Sequence, residues 1–217
     1  MAGLIADPFR AARLVLHLRQ EGVTDDGVLR AMETIDRAAF IDDPELTNLA
    51  FENAMVPIPC GQIIPRPVTT GQLIQALDLE KGNESRVLLI GAGSGYTAAL
   101  LAQLAADVFA VERFNTLTGA IRRRILDLEL SNLAVRCGDG LLGWPERGPY
   151  DRILLAGAVE DIPDALLGQL GKGGLLVAPV AAPDGQVLMR LHENGERERL
   201  GFGHALPLLR EGPTQAL

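Results

Sequence analysis

Residues able to do chemistry cluster around one glycine-rich turn. The segment VLLIGAGSGY places Gly91, Gly93 and Gly95 directly after a short apolar run. Such a turn lets backbone N–H groups approach a ligand closely and starts a helix beside it. A dinucleotide fingerprint, G-x-G-x-x-G, would want glycine at 96, where this chain has Tyr96. The spacing G-x-G-x-G therefore points to a nucleoside cofactor with no pyrophosphate to cradle. Glu112 follows Gly91 by 21 residues and ends the next apolar run. A carboxylate there can accept hydrogen bonds from both ribose hydroxyls. Gly138-Asp139-Gly140 comes after a third run, where an adenine edge would lie, although alone it reads as an ordinary Asp-Gly turn.

These residues need a scaffold, and the chain from Glu84 onward supplies a regular one. Strands are expected over 86–90, 108–112, 133–136, 151–156 and 174–179. Helices are expected over 94–105, around Leu117, Ala120, Ile121 and Leu128, and over 164–170. Strands alternating with helices imply a parallel sheet covered on both faces. Residues 186–192 and 201–208 flank the charged stretch HENGERER, and Asn194-Gly195 marks a terminal antiparallel hairpin with a solvated tip. Residues 8–50 read as helical, with Ala12, Val15, Leu16 and Arg19 on one stripe and Gly22 as a stop. A second helix is expected after Thr24 as N-cap, presenting Val28, Leu29 and Met32. Residues 53–68, NAMVPIPCGQIIPRPV, hold four prolines. They are expected to form an irregular loop, and an ordered loop of that length is more often functional than a connector. The expected fold is α/β, doubly wound, with a mostly parallel seven-stranded sheet, N-terminal helices and a C-terminal antiparallel hairpin. One domain spans 1–217: a helical cap and substrate loop over 1–70, a cofactor-binding core over 84–180, and a hairpin and tail over 181–217.

Composition narrows the function classes. The chain has 217 residues, 20 basic and 28 acidic, for a formal net charge of −8. That balance argues against binding phosphate backbones. Aromatic residues number nine (six Phe, two Tyr, one Trp), too few for a base-stacking platform. No nucleic-acid partner is expected. The N-terminus lacks the plan of a signal peptide, and no stretch approaches the ~20 apolar residues of a membrane helix. Cys60 and Cys137 read as reduced thiols, and His17, His192 and His204 have no metal-ligand spacing. A cytoplasmic monomer without a metal site is expected. Arg122-Arg123-Arg124 reads as a solvated helix face, and Trp144 as packing below the cofactor region.

At family level the chain resembles the protein-L-isoaspartate O-methyltransferases, class I enzymes dependent on S-adenosylmethionine (SAM). The resemblance runs from about residue 12 to 208 and rests on LRQEGVTDDGVLRAME, VPIPCGQIIPRP, VLLIGAGSGYTAALLA, VFAVER, CGDGLLGWPERGPYDRILL and IPDALLGQLGKGGLLVAPV. It implies that Gly91, Ala92, Gly93, Ser94 and Gly95 hold the methionine end of SAM. Glu112 would hold the ribose, and Asp139 with Gly140 the adenine. The proline-rich loop, with Gln62, Ile63, Ile64 and Arg66, would present the carboxylate of an isoaspartyl protein or peptide. Methylating that α-carboxylate starts its repair to aspartate through a succinimide. The family loop reads G-Q-T-I-S-x-P; here Ile63 replaces the threonine and Pro65 the catalytic-site serine. Asn53 and Leu89 stand where the family has acids, and His204-Ala205-Leu206-Pro207-Leu208 alters the family's aromatic-Val-Pro ending. Two alternatives stand beside the family reaction: a diverged paralogue methylating another carboxylate or peptide, and a non-catalytic SAM-binding protein. A nicotinamide oxidoreductase is disfavoured by Tyr96.

Overall fold

The computed structural model describes residues 8–79, 84–201 and 203–214. Seven strands form one sheet in the order β5-β4-β3-β6-β7-β8-β9: β3 (Arg86–Ile90), β4 (Asp107–Glu112), β5 (Leu133–Cys137), β6 (Tyr150–Leu155), β7 (Leu170–Ala182), β8 (Gly185–His192) and β9 (Arg197–Leu200). β3 to β7 pair in parallel, whereas β7-β8-β9 are antiparallel. Along β3, Val87 and Leu89 enter the core on one face while Leu88 and Ile90 enter the core on the other. This two-faced burial is what an uninterrupted apolar run means in a parallel sheet.

The first face is covered by α1 (Pro8–Gln20), α2 (Asp26–Thr34), α3 (Pro67–Gln75), α4 (Tyr96–Ala102) and α5 (Asn115–Asp127). The second face is closed by the short α6 (Asp164–Leu167) together with Tyr150 and Trp144. The expected architecture is therefore present. Among the described residues no helix is long and apolar enough to cross a membrane.

Several local expectations are corrected. The buried face of α1 is Ala11, Leu14 and Leu18, while Ala12, Leu16 and Arg19 face solvent. The stripe is displaced by one position because α1 docks on α2 and α3. Asp25, not Thr24, caps α2, accepting the Val28 N–H at 2.8 Å, while the Thr24 and Asp25 N–H groups both donate to Gln75 Oε1, at 2.6 and 2.9 Å. Residues 37–40 and 44–51 wind as 3₁₀ rather than α turns. The proline-rich segment is an antiparallel ribbon of β1 (Val56–Ile58) and β2 (Gln62–Ile64), outside the main sheet. The prolines are tolerated because this ribbon has only two strands, and Pro67 falls at the first turn of α3.

The helices expected over 94–105 and 164–170 are shorter, ending at Ala102 and Leu167, and Leu128 is only half-buried. Residues 201 and 203–207 carry no strand; the last strand is instead Arg197–Leu200, inside the charged stretch. As the sheet's edge it exposes alternate charges, which is how edge strands resist further pairing. Glu198 meets Arg190 at 3.5 Å and His192 at 2.8 Å across the ladder. The Arg122–Arg124 run is only partly solvated, because Arg124 points inward. It donates to Ala39 O at 3.0 Å and Ser94 O at 3.1 Å and pairs with Asp42 at 2.7 Å.

Candidate active site

The site lies beyond the carboxyl ends of β3, β4 and β6, where open α/β sheets bind ligands. β3 ends as Gly91 gives its N–H to Val111 O at 3.0 Å, and the chain then turns through three left-handed glycines. Gly91, Gly93 and Gly95 have φ of 82°, 57° and 89°. Gly95 also lacks room: a Cβ there would lie 3.1 Å from Ile121 Cγ1. The sequence thus uses glycine both for backbone shape and for packing α4 against α5.

Glu112 closes this turn from below. Its side chain is buried, with Oε2 accepting the Gly93 N–H at 2.8 Å and Oε1 the Phe114 N–H at 3.0 Å. Each oxygen keeps a second lone pair for another donor, such as a hydroxyl. Burial pushes the carboxyl pKa up, and the Phe114, Gly93 and Arg113 N–H groups oppose that shift.

Two adjoining clefts meet at Gly91 and Glu112. One is lined by Gln62, Ile63, Ile64 and Pro65 on one side and Gly91, Ala92, Gly93 and Ser94 on the other. The second adds Gly140, Leu141 and Phe114. The fold therefore brings together most of the residues singled out by sequence. Gly95 sits behind the turn, outside both linings.

Four more of the residues singled out by sequence lie outside both clefts. Asp139 lines neither cleft; Oδ1 caps the Leu141 N–H at 2.9 Å and Oδ2 accepts the Gly212 N–H at 2.7 Å. Only its neighbour Gly140 reaches the cleft, where a Cβ would lie 2.5 Å from Ile90 Cγ2. Arg66 faces a separate pocket with Thr69 and His204. Leu89 is fully buried in the first-face core, away from either cleft, and Asn53 accepts the Val68 N–H at 3.3 Å. Trp144 packs edge-on to Phe109, with ring centroids 5.9 Å apart, as expected of a packing residue.

Sequence reasoning missed the roof and one clamp. Leu208 and Leu209 cover the clefts; a Cβ at Gly157 would meet Leu209 Cδ2 at 2.7 Å. The Leu209 N–H and the Pro207 carbonyl both pair with Ala158, at 2.8 and 2.9 Å. The altered ending at Leu206-Pro207-Leu208 was the signal for this roof. Arg37, which grips the carbonyl of Pro65 at 3.0 Å, had none, because its partners lie far along the chain.

A sequence model of protein-L-isoaspartate(D-aspartate) O-methyltransferases matches residues 10–201. The chain belongs to this family. It is 43% identical over 187 residues to the protein-L-isoaspartate O-methyltransferase of Erwinia tasmaniensis, covering 86% of this chain and 88% of that one. With the enzyme of Maricaulis maris it shares 42% over 192 residues, 88% of each chain. Among solved structures, a protein-L-isoaspartate O-methyltransferase superposes with TM-score 0.77 at 25% identity, over 91% of this chain and 67% of that one. A Plasmodium falciparum structure titled as a protein of this kind, in complex with S-adenosyl-L-homocysteine, superposes with TM-score 0.79 at 22% identity, over 91% and 97%. The latter likeness speaks to the fold alone.

Proposed function

We propose that the protein methylates the α-carboxylate of isoaspartyl residues in peptides or proteins, with SAM as methyl donor. The observation that carries this reading is the shared cleft: the ribbon residues Gln62–Pro65 face the glycine turn Gly91–Ser94 across one opening, with Glu112 beneath. The residues present fit SAM. The positive-φ glycines allow close backbone approach for its methionine end, and the spare lone pairs of Glu112 suit two ribose hydroxyls. Gly140 and Leu141 would flank the adenine, while Asp139 holds that turn through Leu141.

When bound, SAM supplies an electrophilic methyl group on a sulfonium. The chain's own task is modest, because the acceptor carboxylate has a pKa near ~4 and is already an anion at neutral pH. No side-chain base is required. The ribbon must orient that carboxylate about 3 Å from its target, and Leu208 and Leu209 must keep water out. Pro65 has neither hydroxyl nor N–H to offer, so orientation falls to the neighbouring ribbon, where the Gln62 amide gives one N–H to Cys60 O at 3.1 Å and keeps a second. A methyl ester formed there would cyclise to the succinimide that opens repair. Such work suits a cytoplasmic protein acting on damaged chains one at a time.

The test is the product. Incubation with SAM and an isoaspartyl peptide should give a base-labile methyl ester that decays to succinimide. Ester on a different carboxylate would move the activity to another acceptor, the reading that the loss of the loop hydroxyl at Pro65 favours.

A further inference from the structure

The 3₁₀ turn Arg37–Phe40 begins with an arginine that is only 4% exposed. Among the described residues its guanidinium makes no ion pair, and every hydrogen-bond partner is a backbone carbonyl. Nη1 donates to Leu49 O at 2.9 Å and, at longer range, to Ala50 O at 3.4 Å and Glu52 O at 3.5 Å. Nη2 donates to Ala54 O at 2.8 Å and to Pro65 O at 3.0 Å. Nε is buried without a partner among the described residues. The nearest acid in sequence, Asp36, is committed to the Ala38 N–H at 2.9 Å.

Burying a cation without a counter-charge is costly, so this arrangement calls for a function beyond filling space. Its far contact, Pro65, is informative. That residue lines the cleft opposite the glycine turn and has no N–H or side-chain polar group by which to be held. Its carbonyl is its remaining polar handle, and Arg37 takes it.

The same short segment is tied to the other side of the cleft. Arg124 donates to Ala39 O and to Ser94 O, the latter in the glycine turn, and pairs with Asp42. Phe40 packs edge-on against Tyr96, the first residue of α4, with centroids 5.4 Å apart. Tyr96 lies in the field of the Arg37 charge, its pKa pushed up to about 12 by burial while Arg37 opposes the shift. Residues 37–42 thus form a strut, with Ser94 bound at one end through Arg124 and Pro65 bound at the other through Arg37.

We propose that Arg37 is a positioning residue for methyl transfer, holding the acceptor ribbon at a set distance from the glycine turn. This rests on the proposed function above. Arg37 touches no reacting atom; it acts through the backbone of Pro65. A lysine there keeps the charge but loses the planar fork that reaches several carbonyls at once.

The experiment compares wild type with R37K, rates being normalised to sites titrated by SAM binding. The expected result is SAM affinity within threefold of wild type and kcat for an isoaspartyl peptide lower by ~30- to 100-fold, since a displacement near 1 Å costs that much. In amide exchange, Ile63 and Ile64 should exchange at least about tenfold faster, together with residues near 49–54 whose carbonyls Arg37 also holds, while Leu88–Ile90 stay unchanged. Per-site kcat within threefold of wild type, or exchange raised evenly along the chain, would overturn the proposal. A second measurement needs no variant. Nitrogen-detected NMR of the wild-type Arg37 guanidinium should show slowly exchanging protons that shift when an isoaspartyl peptide binds; unshifted resonances at peptide saturation would also overturn it. If wild type makes no isoaspartyl ester at all, the proposed function fails, and the exchange comparison still decides whether Arg37 holds the ribbon.

Discussion

The two walls of the cleft are built on different principles. The proposed donor wall is a turn at the end of a buried parallel strand, shaped by three positive-φ glycines and closed by the Glu112 carboxylate nineteen residues beyond the Gly93 N–H it accepts. The proposed acceptor wall is a two-stranded ribbon outside the main sheet, rich in proline, held in part by an arginine twenty-eight residues away. The first wall carries its shape in its own residues. The second takes its position from elsewhere, so its own sequence can drift, as at Ile63 and Pro65, while its place is kept.

Breaking the donor wall should have the largest effect. Glu112→Ala removes the acceptor proposed for two ribose hydroxyls and strands the Gly93 and Phe114 N–H groups. Two charge-assisted hydrogen bonds at about 1.5–3 kcal/mol each imply a loss of SAM affinity of about 100-fold or more. Calorimetric titration checks this, and unchanged affinity would remove the ribose assignment.

Gly95→Ala tests whether the wall is self-shaped. The left-handed φ of 89° and the 3.1 Å approach to Ile121 Cγ1 should together cost about 2–3 kcal/mol of stability, read as a lowered urea midpoint. On the acceptor wall, Pro65→Ser restores a hydroxyl beside the cleft. Because one oriented donor is worth up to ~10²-fold, isoaspartyl methylation should rise by about tenfold with SAM affinity unchanged. No rise would mean that this wall has been rebuilt around proline.

The smallest effect is in pH. Burial raises the Glu112 pKa, so in the absence of ligand its ionisation costs stability as pH climbs past the unfolded carboxyl value. The proposed ribose contact needs the ionised form. SAM affinity should therefore decline on acidification, starting above the usual carboxylate range, by a few-fold per half unit of pH once below the raised pKa. Glu112→Gln should flatten that profile. A profile unchanged in Glu112→Gln would assign the titration to another group.

The contrast between the walls also explains what was legible in the sequence. The parallel strands, Gly91–Gly95 and Glu112 could be read directly, because apolar runs and glycine spacing are local signals. Strand β9 was misplaced since Arg197, Glu198 and Arg199 look like a loop until the edge of a sheet is there to expose them. The α1 stripe was out of phase because Leu16 is 58% exposed, a position that only tertiary docking decides. Arg37 carried no signal and Arg124 looked like part of a solvated basic face, as both act on carbonyls distant in sequence. Asp139 was read toward the ligand, whereas its side chain joins the Leu141 turn to the C-terminal segment at Gly212.

The central claim is that these two walls still perform one reaction despite the change at Pro65. Its most direct test is transfer of labelled methyl from SAM to an isoaspartyl peptide, with the aspartyl twin of identical sequence as control and SAM binding measured in the same preparation. The account predicts label on the isoaspartyl peptide alone. Label on neither peptide, with SAM bound stoichiometrically, would contradict it.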